Sequence, residues 1–164
     1  MKKKWKKYKN WCIDILLNYV LSFTPQIPGS DVISMAWQSY VDNMKQQLVE
    51  KGGVYGLDGS PWHDVSCDSS LKATQAEAVN IISKIRAGPG IGSLTVEGLA
   101  YSEIRVVQDE FAMVKSKEGA KEDRGLCYAA LGKTFLMIGF QKGAGERNVV
   151  KVIDGLRDHI NATM

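Results

Sequence analysis

The chain reads as an α+β domain, with a central antiparallel β-sheet flanked by helices on both faces. Three observations point there. Apolar residues recur at helical spacing from Trp37 and again from Val149. A capping box, Thr74-Gln75-Ala76-Glu77, opens a third helical stretch between them. Five short β-compatible runs then succeed one another between residues 94 and 140, broken by glycine or charged turns. Sequential strands with helices on the faces make an α+β layer arrangement.

Residues 1–34 differ in character from the rest of the chain. Six lysines (Lys2, Lys3, Lys4, Lys6, Lys7, Lys9) precede the apolar run Trp11 to Leu21, and a breaker stretch, Pro25 to Ser30, comes after it. The order mimics a signal peptide, but Asp14 and Asn18 interrupt the run and no clean small-x-small cleavage site follows. The run is too short and too polar to span a bilayer. Three readings stand: a surface-binding amphipathic segment, a failed signal peptide, or upstream sequence ahead of a start at Met35. The last is adopted, with 1–34 as a poorly ordered or misassigned extension and 35–164 as the domain.

From Met35 the pattern sharpens. Trp37, Tyr40, Val41, Met44 and Leu48 predict a helix over 36–49, stopped by Gly52-Gly53. Val54 to Leu57 predicts a strand, Asp58-Gly59 a tight turn, and Pro61 to Val65 the returning strand at a sheet edge. After the capping box, Ala78, Ile81, Ile82 and Ile85 recur at helical spacing until Gly88-Pro89-Gly90. The β-runs are Leu94–Tyr101, Glu103–Gln108, Phe111–Lys115, Gly125–Ala130 and Thr134–Phe140. In the last helix Val149, Ile153, Leu156 and Ile160 form one stripe; Val152, Leu156 and His159 form the next.

Composition excludes several classes. The 164 residues suffice for one domain with a real core. Three cysteines (Cys12, Cys67, Cys127) without CxxC spacing argue against a disulfide framework or a zinc site, and two histidines argue against an imidazole-based metal centre. A reducing, cytoplasmic setting is the default. The net charge of +3 is unevenly spread: residues 35–164 hold 15 basic and 16 acidic side chains. That near-neutral body lacks the footprint of a nucleic-acid binder.

No motif builds an active site. Gly132-Lys133-Thr134 would need a glycine where Cys127 stands to be a phosphate-binding loop. Gly88-Pro89-Gly90-Ile91-Gly92 comes after a helix, not the strand a dinucleotide site requires. His63-Asp64 reads as a surface turn. The sequon Asn161-Ala162-Thr163 matters only in a secreted chain. The chain is therefore expected to be no enzyme, with no cofactor and no metal. The aromatics are more informative. Trp37 and Tyr40 share a helix face, and periodicity alone would put both in the core beside Val41 and Met44.

The segment Met35-Ala36-Trp37-Gln38-Ser39-Tyr40-Val41-Asp42-Asn43 resembles the opening of a profilin. Gly56-Leu57-Asp58-Gly59-Ser60-Pro61-Trp62 resembles the family's first hairpin, Gly132 to Gly139 its late core strand, and Val152 to Ile160 its C-terminal helix. The resemblance covers about 35–164 and is weakest over 90–130. It implies that the N- and C-terminal helices pack together on one face of the sheet. It further implies that Trp37, Tyr40, Trp62 and His159 share a shallow groove for proline-rich segments. Aromatic faces would pack on pyrrolidine rings while indole, phenol and imidazole donate to carbonyls. Met164 stands where the family usually ends in an aromatic.

For other partners, the resemblance implies that Lys117 and Lys151 contact monomeric actin and that Lys115 and Lys117 contact phosphoinositide lipids. Two departures bear on actin: Glu103 falls where the family carries a basic residue, and Lys121-Glu122-Asp123-Arg124 is inserted nearby. The expected function is a cytoplasmic, cytoskeletal regulator that binds actin monomers and proline-rich ligands. The alternatives are a proline-rich-peptide module with weakened or lost actin binding, and a protein associated with phosphoinositide membrane surfaces.

Overall fold

The computed structural model describes residues 29–47, 49–117, 124–143 and 146–164. The elements, in chain order, are α1 (Gly29–Gln46), β1 (Lys51–Gly56), α2 (Gln75–Ala87), β2 (Ser93–Val96), β3 (Leu99–Val107), β4 (Phe111–Ser116), β5 (Gly125–Leu131), β6 (Phe135–Lys142) and α3 (Glu146–Thr163). The six strands form one antiparallel sheet in the order β1-β6-β5-β4-β3-β2. The α+β reading holds, with helices on both faces. Most of the lysine-rich extension, residues 118–123, 144–145 and Leu48 lie outside the described residues.

Two cores lie back to back. On one face α2 places Ala78, Ile81, Ile82 and Ile85 against Leu94, Tyr101, Val114, Cys127, Leu136 and Ile138. On the other, α1 and α3 place Val41, Met44, Val149, Ile153 and Ile160 against Val54, Tyr128, Phe135 and Met137. Successive strand residues point to opposite faces, so β5 and β6 are buried on both sides and carry no polar alternation.

Several boundaries differ from the sequence reading. Helical backbone begins at Gly29, ahead of Met35, and ends at Gln46. Gly52 and Gly53 do not merely stop that helix; they lie inside β1. A Cβ at Gly52 would overlap the Met44 sulfur, so the glycine lets α1 cross close to the strand. The run Leu94–Tyr101 is two strands joined at Glu97-Gly98, which have φ of 51° and 77°. Positive φ at both central residues suits the twist of a two-residue hairpin. The expected break at Ser102 is instead an irregularity in a continuous strand, where the register shifts between Glu103 and Arg105.

The segment 61–65 is not a strand. The turn before it forms, with Gly59 at φ 82°, but only an isolated bridge joins Pro61 to Tyr55. Beyond it the outer edge of β1 is satisfied piecemeal. Trp62 N donates to Val54 O at 2.9 Å, Gly52 N donates to Ser69 O at 3.0 Å, and Leu71 N donates to Gly52 O at 2.7 Å. His63 supplies the remaining acceptor and is buried, contrary to its reading as a surface turn. The loop thus occupies the edge at which another strand could otherwise be recruited.

The capping box forms as read: Thr74 Oγ1 accepts from Glu77 N at 3.2 Å, and Thr74 N donates to Glu77 at 2.8 Å. Glu77 also accepts from the amides of Glu97 (3.2 Å) and Gly98 (2.8 Å), tying α2 to the β2–β3 turn. Glu97 in turn accepts from Lys72 N at 2.7 Å and pairs with Lys51 Nζ at 3.2 Å. Lys51 lies on β1 and Glu97 beside β2, the two opposite edges of the sheet. The sheet therefore curls until its ends meet around α2. The Lys51–Glu97 pair is partly exposed and contributes at most about 1 kcal/mol. The carboxylate–amide bonds, each worth about 1.5–3 kcal/mol, do more of the holding.

Two outcomes are expected. Glu77→Ala removes half of the capping box and the acceptor of two turn amides, so urea denaturation should find a loss of about 1–3 kcal/mol. Burial pushes the Cys127 thiol up to about 12 from 9.0, and burial also raises the phenols of Tyr55, Tyr101 and Tyr128. These groups stay protonated when folded but ionise sooner when unfolded. Stability is then complete below pH 9.0 and falls as pH rises from there toward 12. Thermal melts at increasing alkaline pH check this, and Cys127 should resist alkylation in the folded protein while partly exposed Cys67 reacts.

Candidate functional site

The α1 stripe divides into two parts. Val41 and Met44 are fully buried, whereas Trp37 and Tyr40, one turn earlier, are only half-buried. The core assignment that periodicity suggested is thus corrected: the two aromatics sit on the rim of the α1/α3 core. Trp62 joins them. Ring centroids lie 5.5 Å apart for Trp37–Tyr40, 4.9 Å for Trp37–Trp62 and 6.2 Å for Trp37–Phe135. Phe135 is fully buried and forms the floor. Burial also pushes the Tyr40 phenol up, which keeps its hydroxyl a proton donor across the neutral range.

Four further residues set this cluster, and the sequence reading missed their roles. Phe135 reads from the sequence only as part of a core strand. Gly56 makes room for Trp62, since a Cβ there would lie 2.8 Å from the indole nitrogen. Gln38, beside Trp37, accepts from Asp64 N at 2.9 Å and so ties α1 to the loop that carries Trp62. His63 fixes the same loop to β1. The signal in the sequence was the clustering of Gln38 and His63 next to the two indoles, but adjacency does not specify partners.

His159 lies half-buried on α3, three residues after Leu156, which packs against the same core as Trp37. Among the described residues it makes no ring contact with the other aromatics. The structure thus brings Trp37, Tyr40 and Trp62 into contact and leaves His159 on the neighbouring helix. The end of α3 is tied to the β5–β6 turn: Lys133 N donates to Asn161 Oδ1 at 3.0 Å and Lys133 Nζ to Asn161 O at 2.8 Å. Met164, mostly exposed, has its sulfur 3.9 Å from Thr134 Oγ1.

The lysines lie elsewhere. Lys151 is exposed on α3, Lys117 is exposed just beyond β4, and Lys115 is half-buried on β4 between Ser102 and Leu126. Strand alternation puts Lys115 on the same face as Phe111 and Met113, which pack in the α1/α3 core. Arg105 stands over the Phe111 ring at 5.8 Å. Glu103 accepts from Gly90 N at 3.1 Å and Gly92 N at 3.2 Å, so both of its oxygens brace the loop between α2 and β2.

Comparison with known proteins agrees with this architecture. The family model described as Profilin matches residues 35–163. Profilin-P of Physarum polycephalum is 28% identical over 131 residues, covering 77% of this chain and 96% of that protein. Mouse profilin IIa, solved in complex with a double repeat from the FH1 domain of mDia1, superposes with a TM-score of 0.56 and 22% identity, covering 75% of this chain and 97% of the other. LokiProfilin1, solved in complex with rabbit actin, gives a TM-score of 0.59 at 15% identity, covering 80% and 98%.

The packing at Gly56 is testable. Gly56→Ala should force Trp62 to shift, costing about 1–3 kcal/mol by overpacking and changing the tryptophan emission of the folded state. Urea titration followed by fluorescence reads both.

Proposed function

The chain belongs to the profilin family, a family of non-enzymatic actin-binding proteins, and on that premise we propose that it links actin monomers to proline-rich ligands in the cytoplasm. One observation carries the reading: Trp37 packs against both Tyr40 and Trp62, yet all three remain only partly buried. A protein gains nothing by leaving a packed aromatic set at its surface unless something covers it. A polyproline II segment suits such a set. It is already ordered, so docking costs little conformational entropy. Its pyrrolidine rings would lie on the indoles. Its carbonyls would accept from Trp N–H, the Tyr40 hydroxyl and His159 on α3. The complex of mouse profilin IIa with the FH1 repeat supports this partner class.

Actin would use the other exposed surface, with Lys151 on α3 and Lys117 beyond β4. The complex of LokiProfilin1 with rabbit actin supports that partner. The acidic Glu103 weighs less against actin than its sequence position suggested, because two loop amides take up its oxygens. With separate surfaces, both partners bind at once and the mechanism is mass action without covalent chemistry.

Titration of a proline-rich peptide while following tryptophan fluorescence tests the first surface. Trp37→Ala should weaken binding by roughly 30-fold, the loss expected for a hot-spot aromatic; unchanged affinity rejects the assignment. For the second surface, Lys151→Glu should reduce sedimentation-measured actin-monomer binding and leave peptide binding intact.

A further inference from the structure

We propose that His63 is a positioning residue of the aromatic cluster: its buried imidazole holds Trp62 against Trp37. Trp62 lies in the loop after β1, outside any helix or strand, so neither a helix nor a ladder fixes it. Two bonds to a single residue do. Trp62 N donates to Val54 O at 2.9 Å, and Val54 N donates to His63 Nδ1 at 3.1 Å. The other ring nitrogen, Nε2, is 2.9 Å from Leu71 O. A carbonyl can only accept, so Nε2 carries a proton; a neutral imidazole holds only one, which leaves Nδ1 as the acceptor that the Val54 N–H faces. Nδ1 also lies 3.0 Å from Val54 O, the oxygen that takes the Trp62 amide. The imidazole thus does what a neighbouring strand would do: it receives from the edge of β1 and donates onward to the segment at Leu71.

The ring is only 4% exposed, and Tyr55 stands edge-on to it at 5.1 Å. Tyr55 O–H donates to the same Leu71 oxygen at 2.9 Å and accepts from Ala73 N at 3.1 Å. Swinging Trp62 away would leave a buried amide and a buried carbonyl with weakened pairing, which a protein interior penalises strongly. The second tie on this loop, Gln38 to Asp64 N, is exposed and competes with water. His63 is therefore the stronger of the two anchors.

The affinity arm of the test rests on the proline-ligand reading above; the optical arm does not. Two indoles 4.9 Å apart couple in the far ultraviolet, and the couplet is assigned by its loss in Trp62→Phe. His63→Leu fills the space but pairs with neither Val54 N nor Leu71 O. His63→Gln offers one acceptor and one donor. The expected result is a folded His63→Leu that loses the couplet and binds a proline-rich peptide at least about tenfold more weakly, with His63→Gln restoring both. A folded His63→Leu that keeps the couplet overturns the proposal. Couplet loss in a protein whose wild type binds no proline peptide upholds the role of His63 and rejects the ligand reading instead. If His63→Leu does not fold, nitrogen NMR of the wild-type ring decides: a solvent-protected Nε2–H supports the tie, and an Nδ1–H or a freely exchanging ring refutes it.

Discussion

Strand β6 is covered on both sides, and that double burial organises the molecule. Phe135 and Met137 face α1 and α3, while Leu136 and Ile138 face α2. Each face brings its own helices to the same strand. Because α1 and α3 share one face, elements from opposite ends of the domain become neighbours. Phe135 closes the chain of consequence: it is both core residue and floor of the aromatic cluster, so the cluster is as fixed as the sheet beneath it. Burying a large side chain on each side of one strand also explains why β6 shows no polar alternation.

A sheet covered on both faces still has two edges. Here they are handled by unlike means. The edge at β1 is sealed by a loop in which backbone, a serine carbonyl and an imidazole take turns as partners. The edge at β2 is drawn back toward β1 by carboxylates: Glu77 and Glu97 collect amides from the hairpin turn and from the segment before α2. Both devices place polar side chains where a further strand would otherwise supply peptide groups. The first of them also shapes the aromatic cluster, because the loop that seals β1 is the loop that presents Trp62.

The split of α1 between buried and half-buried positions has a geometric cause. A helix lying on a sheet near its rim buries one end of its stripe more than the other. Val41 and Met44 lie in the core, while Trp37 is only partly buried and packs against Trp62 and Tyr40. The same stripe of apolar residues thus serves folding at one end and, in the proposed function, recognition at the other.

Most of the elements were legible in the sequence because the forces that define them are local. The capping box, the Ile81–Ile85 stripe, the Asp58-Gly59 turn and the Val149–Ile160 face each depend on residues within about one or two turns of one another. The family resemblance likewise rests on short segments that can be read in place. What no local rule could decide is partnership across distance. That His63 substitutes for a strand, that Lys51 reaches Glu97 from the far edge of the sheet, and that the Trp62 ring stacks beside Trp37 all depend on how a curled sheet brings its ends and its loops together. Spacing along a chain carries no information about such contacts; only the closed three-dimensional arrangement of strands assigns them.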